Sequence, residues 1–197
     1  SGVTNIVNGA TRLQPVVLGI GQASGVLAAL AVKKNVLPSQ VSIRDVQSTL
    51  LDNKAYIMPY IDVPNTDPQF KILHKIGATG VLKGTGVPYK WANQTWFYPE
   101  REISEFELMQ GLRLYYPILN DNWNASGQAL TVKGFKNLMK EIKKEISLEE
   151  MNALLVTHNL NPLKNDEARI NRRYLSVLLD EHVGFFNKDV DYSGRLK

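Results

Sequence analysis

"REISEFELMQGLRLY", residues 101–115, decides how this chain is read. Ile103 precedes Ser104, Glu107 follows three residues later, and Phe106, Met109 and Leu112 recur at helical spacing. A serine whose hydroxyl can accept a first-turn N–H, an apolar residue before it and a glutamate at the third position together mark a helix start. The plan returns in "QALTVKGFKNLMKEI", residues 128–142, and in "ARINRRYLSVLLDEH", residues 168–182. There Leu130–Thr131 and Ile170–Asn171 stand where Ile103–Ser104 stood. Three helices opened in one way predict a repeated unit.

Working outward, the apolar spacing predicts further helices. One runs from about Ile20 to Lys34 on Val26, Leu27, Leu30 and Ala31, with Val16 to Leu18 ahead of it as a short buried strand. Ser42 caps another, with Val46, Leu50 and Leu51 inward. Others cover Gln69 to Ile76, Thr131 to about Ile146, a stretch capped by Ser147 with Glu150 in a capping box, and Asn171 to Val183. "YKWANQTWFYP", residues 89–99, alternates aromatic and polar residues around Ala92–Asn93 and reads as a β-hairpin. "YIDVPNTDP", residues 60–68, is turn chemistry beside a boundary near residues 53–60. The polar tail, residues 187–197, is expected to fray. The expected class is mainly α: a bundle of helix-loop-helix repeats with a small β-hairpin, divided into residues 1–53 and 54–197.

Composition narrows the function. Hydrophobic residues are 44% and charged residues 21% of 197, as in ordinary globular proteins. Net charge is +4 with scattered basic residues, which argues against nucleic acid as a partner. No apolar run reaches the ~18 residues that would suggest a membrane span, and Pro15 to Val32, the longest weakly polar stretch, reads as a buried helix. The absence of cysteine excludes disulfides, thiolate catalysis and Cys-ligated zinc. It suits a periplasmic or cell-surface location and is also common in the cytoplasm. His74, His158 and His182 are too scattered to predict a metal site. Glu105, Glu107, Glu149 and Glu150 sit in first turns, where the helix dipole accounts for them. No G-x-S-x-G elbow occurs, and no catalytic residue is assigned. The start "SGVTN", without Met or a leader, is expected of a piece cut from a longer protein.

Two resemblances follow from particular residues. The stretch from "YIDVPNTDP" to "WFYPEREISEFELMQGL" resembles an S-layer homology repeat, over about residues 60–116, with a degraded copy to about 186. Asp62, Val63 and Pro64 match its opening. Gly80, Val81, Leu82 and Gly84 match its middle, and Phe97 and Pro99 its turn. The resemblance implies a helical module that binds cell-wall polysaccharide through an "I-T-R-A-E" phrase. Glu105 and Val132 replace the arginine in two copies; Arg172 keeps it in the third. Arg172, with Trp91 and Trp96 of the hairpin, is the carbohydrate candidate this implies. The same aromatics also read simply as a hairpin packed on helices.

"TRLQPVVLGIGQASGVLAALAVKKNVLPSQVSIRDVQSTLL", beginning at Thr11, resembles the end of the FAD-dependent oxidoreductase domain of xanthan lyases and related bacterial flavoproteins. Arg12, Gly21, Gln22, Ala23 and Gly25 match its arginine and G-Q-A-x-G turn. The resemblance implies that these residues face a flavin in the longer parent, through a helix N-terminus that suits an electron-rich edge. Close helix packing is the alternative reading of the glycines. Ser24 stands where a G-x-G-x-x-G motif needs its third glycine, so no dinucleotide site is expected within the chain itself. The implied function is a non-catalytic fragment of an FAD-dependent oxidoreductase, with the rest of that flavoprotein as partner. A polysaccharide-binding module is the alternative.

Overall fold

The computed structural model describes residues 13–90, 92–117, 119 and 126–197. The chain divides into two compact units, residues 1–55 with 189–197, and residues 56–188. Among the described residues the fold is mainly α with a two-stranded antiparallel sheet.

In the first unit, helix α1 spans Gln14–Lys34 and helix α2 spans Ile43–Asp52. Between them lies a 3-10 turn, Pro38–Gln40. α1 begins earlier than expected, and Val16 to Leu18, expected as a short strand, lie within it. Proline is tolerated in a helix's first turn because its missing N–H would have no partner there, so Pro15 opens the helix. Asn35, at φ 52°, closes it. α1 packs on α2 and the 3-10 turn, and its partly covered side carries Ala23, Val26, Leu27, Leu30 and Ala31. α2 is capped by Ser42, whose Oγ accepts the Arg44 N–H at 3.1 Å, and it buries Val46, Leu50 and Leu51. The tail, expected to fray, instead packs within this unit.

The second unit holds α3 (Phe70–Thr79), β1 (Thr85–Tyr89), β2 (Ala92–Trp96), α4 (Glu105–Leu112), α5 (Val132–Glu141), α6 (Leu148–Thr157) and α7 (Arg172–Leu178). A π-turn, Leu179–Val183, continues α7. Gly80 ends α3 at φ 77°, a conformation that costs glycine little. The hairpin pairs Thr85 with Trp96 and Tyr89 with Ala92. Its turn therefore begins at Lys90, and Ala92 and Asn93 belong to the second strand. Lys90, at φ 52°, supplies the positive φ that a tight hairpin turn needs, and β1 runs through glycine-rich sequence, Thr85–Tyr89.

The repeated helix starts form a closed ring. Ser104 bridges Ala129, Thr131 bridges Arg169, and Glu102 bridges Asn171, all antiparallel. Leu130 N–H donates to Ile103 C=O at 2.7 Å, Ile170 N–H to Leu130 C=O at 2.9 Å, and Arg172 N–H to Arg101 C=O at 3.0 Å. Ile103, Leu130 and Ile170, one from each segment, are all buried. Each segment ends on the expected cap: Ser104, Thr131 and Asn171 accept the N–H of Glu107, Gly134 and Tyr174. α4, α5 and α7 thus leave the ring from equivalent positions. The ring makes the repeat physical: three short extended pieces satisfy one another's backbone groups, which none could do alone.

Candidate functional sites

The flavin candidates lie on α1. Because α1 starts at Gln14, Gly19, Gly21 and Gly25 sit inside a helix and not in a turn before one. Only the first few N–H groups of a helix lack an internal partner. The N–H groups of Gly21, Gln22 and Ala23 are therefore committed to the helix, and any free donors belong to the turn around Pro15. Gly21 and Gln22 are exposed and Ala23 is half-buried. No atom lies within 4 Å of a Cβ placed on Gly19, Gly21 or Gly25. Arg12 lies outside the described residues.

α1 has an unusual surface. Leu13, Val17, Leu18, Ile20 and Val32 are each at least half exposed, and Ala31 alone among the helix residues is buried. No charged residue occurs between Gln14 and Val32. The helix is long and apolar enough to cross a membrane, with a mean hydropathy of 1.8 over its most apolar window. That differs from the expectation of no span-length segment, because the interrupting Gly, Ser and Gln residues are uncharged.

The carbohydrate candidate Arg172 is fully buried. Its Nε donates to the Phe97 carbonyl and its Nη2 to the Lys83 carbonyl, both at 2.7 Å. Nη1 pairs with Glu107, and the guanidinium lies 4.5 Å from the centre of the Phe97 ring. Burial pushes its pKa down, and Glu107 opposes that shift. An arginine committed to two carbonyls and a carboxylate has no fork left for a glycan. The equivalent residues turn the same way. Val132 is buried, and Glu105 accepts the Ser126 hydroxyl at 3.0 Å. The position that the wall-binding phrase gives to arginine is thus used here for contacts within the module.

Glu107 does not complete the expected capping box. It binds Arg172 and takes two bonds from Arg101, at 2.8 and 3.0 Å. Trp96 is half-buried, stacked on Tyr98 with ring centres 5.5 Å apart, and its indole N–H donates to Gln94. That stack covers one face of each ring. Trp91 lies outside the described residues. Asp62, from the "DVP" opening, accepts the N–H groups of Phe97 and Tyr98 at 2.8 and 2.6 Å, tying the opening of the repeat to its aromatic turn.

An open cleft of about 330 Å³ lies beside the ring, lined by Glu100, Glu102, Leu163, Lys164, Arg169 and Asn171. Arg169 pairs with Glu102 at 3.0 Å, and Asn171 donates to Glu100 at 3.1 Å. Asn152 holds the far wall through two bonds to Leu163, at 2.7 and 3.0 Å. Arg173 grips Asp67 with both terminal nitrogens, at 2.7 and 3.0 Å, and also holds Glu100. Sequence reading does not single out Glu100 or Arg173. The doubled arginine of "NRR" was the available signal, and it does not reveal which arginine turns inward.

His74 is buried against Phe70, Tyr56 and Tyr60, and burial pushes its pKa down to about 4. Its Nδ1 accepts the Met58 N–H at 3.2 Å, so it is a neutral core acceptor. His158 meets Glu181 and His182 meets the Lys144 carbonyl. Among the described residues, no three His, Asp or Glu side chains form a metal-binding group.

No curated protein and no solved structure matches the chain. The family model for FAD dependent oxidoreductases matches residues 1–50, which takes in α1 and most of α2. Over the first quarter of the chain the sequence is accordingly similar to FAD-dependent oxidoreductases.

Proposed function

We propose that α1 and α2 are part of an FAD-dependent oxidoreductase fold whose flavin-binding strand and phosphate turn lie outside these residues, and that residues 56–188 are a non-catalytic helical interaction module. The carrying observation is the bare surface of α1. A helix that is apolar all round belongs in the core of a large protein or in a membrane. The family match over the same helix favours the protein core. On its outward side Gly21, Gly25 and Ala28 are exposed and small enough for a neighbouring backbone to approach closely.

The substrate class follows from the xanthan-lyase resemblance, which links the parent's redox chemistry to polysaccharide processing. The ring of three equivalent helix starts supports an S-layer-homology-like plan for the module. A second reading, glycan binding, is favoured by the polar cleft at Glu100, Glu102 and Lys164 rather than by Arg172. In a polysaccharide pulldown, Lys164→Ala should then weaken retention and Trp96→Ala should not. Absence of retention of the intact module removes that reading.

The main reading is tested on flavin occupancy. The 197-residue chain should take up no FAD. In the flavin-loaded parent, Gly25→Leu should lower occupancy severalfold, although a side chain at Gly25 meets nothing in this structure. Unchanged occupancy would overturn the assignment, and partition of the chain into lipid vesicles would favour the membrane instead.

A further inference from the structure

Residues 189–197 fold back on themselves. Val190 and Leu196 form an antiparallel bridge. Asp191 Oδ1 holds the turn by accepting the N–H groups of Ser193 and Arg195, at 2.8 and 2.9 Å, and the Ser193 hydroxyl at 2.7 Å. The turn then grips the N-terminal unit at two points. Tyr192 donates its hydroxyl to the Pro38 carbonyl at 2.7 Å. Asp189 Oδ1 accepts the Ser42 hydroxyl at 3.0 Å, and its other oxygen takes the Lys197 ammonium at 2.8 Å. Val190, between these grips, is buried.

The Ser42 contact has a consequence for α2. Ser42 Oγ accepts the Arg44 N–H as the helix cap. A hydroxyl rotor is free to turn unless its proton is engaged. With the proton given to Asp189, a lone pair stays aimed at the helix, and the two bonds strengthen each other. Ser42 and Asp189 are 147 residues apart in sequence, so this cap depends on residues far outside the segment matched to the oxidoreductase family.

We infer that residues 189–197 are a latch that completes the N-terminal unit, so that residues 56–188 are an insertion within that unit rather than a domain that simply follows it. The extension of the oxidoreductase segment to residues 189–197 rests on the proposed function above; the latch does not. Its test reads no flavin, so the two ideas fail separately.

The test is backbone amide hydrogen exchange on the full chain, on Asp189→Ala, on Asp189→Asn and on a chain ending at Lys188. Asp189→Ala should speed exchange in the first turn of α2 about fivefold, the factor for one hydrogen bond of ordinary net strength. Asp189→Asn keeps an acceptor for Ser42 and should leave α2 protected. The shortened chain should lose α2 protection by more than Asp189→Ala does, while amides of α7 keep theirs. Unchanged exchange in α2 of the shortened chain would overturn the latch. Equal acceleration in α2 and α7 would overturn it too, because the tail would then belong to no one unit.

Discussion

Asp62 accepts the backbone N–H of Tyr98 at 2.6 Å, across 36 residues, while Tyr98 stands at φ 54°. A bulky residue at positive φ is strained and persists only when its surroundings hold it. The carboxylate does so by binding Phe97 and Tyr98 together. Asp62→Ala should therefore cost about 2–4 kcal/mol, as the loss of two charge-assisted bonds implies. Asp62→Asn retains one acceptor and should cost less. Urea unfolding of both variants checks this, and equal midpoints for Asp62→Ala and the parent chain would remove the clamp.

Arg172 cannot be replaced by another cation. Its planar fork serves Phe97, Lys83 and Glu107 at once, and a lysine ammonium has neither that reach nor that shape. Arg172→Lys and Arg172→Ala should each lose about 3 kcal/mol, the scale for breaking a buried pair and stranding its acceptors. Glu107→Gln should lose less, because Glu107 is partly solvated. Thermal melts order the three; an Arg172→Ala variant as stable as Glu107→Gln contradicts this account.

One substitution made at two glycines should act with opposite sign. A Cβ on Gly111 would sit 2.0 Å from the Val81 carbonyl oxygen, which is backbone and cannot swing aside. Gly111→Ala should destabilise the module by about 1–3 kcal/mol, as overpacking does. Gly25→Ala meets nothing and gains helix propensity, so α1 should become more helical by up to about 1 kcal/mol. Circular dichroism and denaturation separate the cases.

His74 sets an acid limb to stability. Burial lowers its folded pKa from 6.5 to about 4. Between those values the unfolded chain binds the proton and the folded chain does not. The stability is therefore complete above pH 6.5 and falls as pH drops toward 4, by about 3 kcal/mol in all. His74→Asn keeps an acceptor for Met58 N–H and removes the titration. Its stability should be flatter over that window, and an unchanged slope would show that other groups carry the limb.

The sequence by itself determined five of the helix starts. Ser42, Ser104, Thr131, Ser147 and Asn171 are all caps in the structure, because a cap is a bond to an N–H only two or three residues on. The apolar stripes of α2, α5 and α7 were legible for the same reason of local spacing. So was the likeness of residues 10–52 to a flavoprotein segment, which the family match over residues 1–50 supports. Tertiary structure alone decided what each side chain at those starts would do. Glu107 has the spacing of a capping box, yet two arginines outbid the Ser104 N–H for its carboxylate. Arg172 has the position of a glycan ligand, yet its partners lie 65 to 89 residues away and draw it inside. The tail looks like a fraying end, yet Ser42 and Pro38 wait for it about 150 residues back. Local bonds are written in neighbouring letters; the choice among competing partners is made only when the folded chain brings them together.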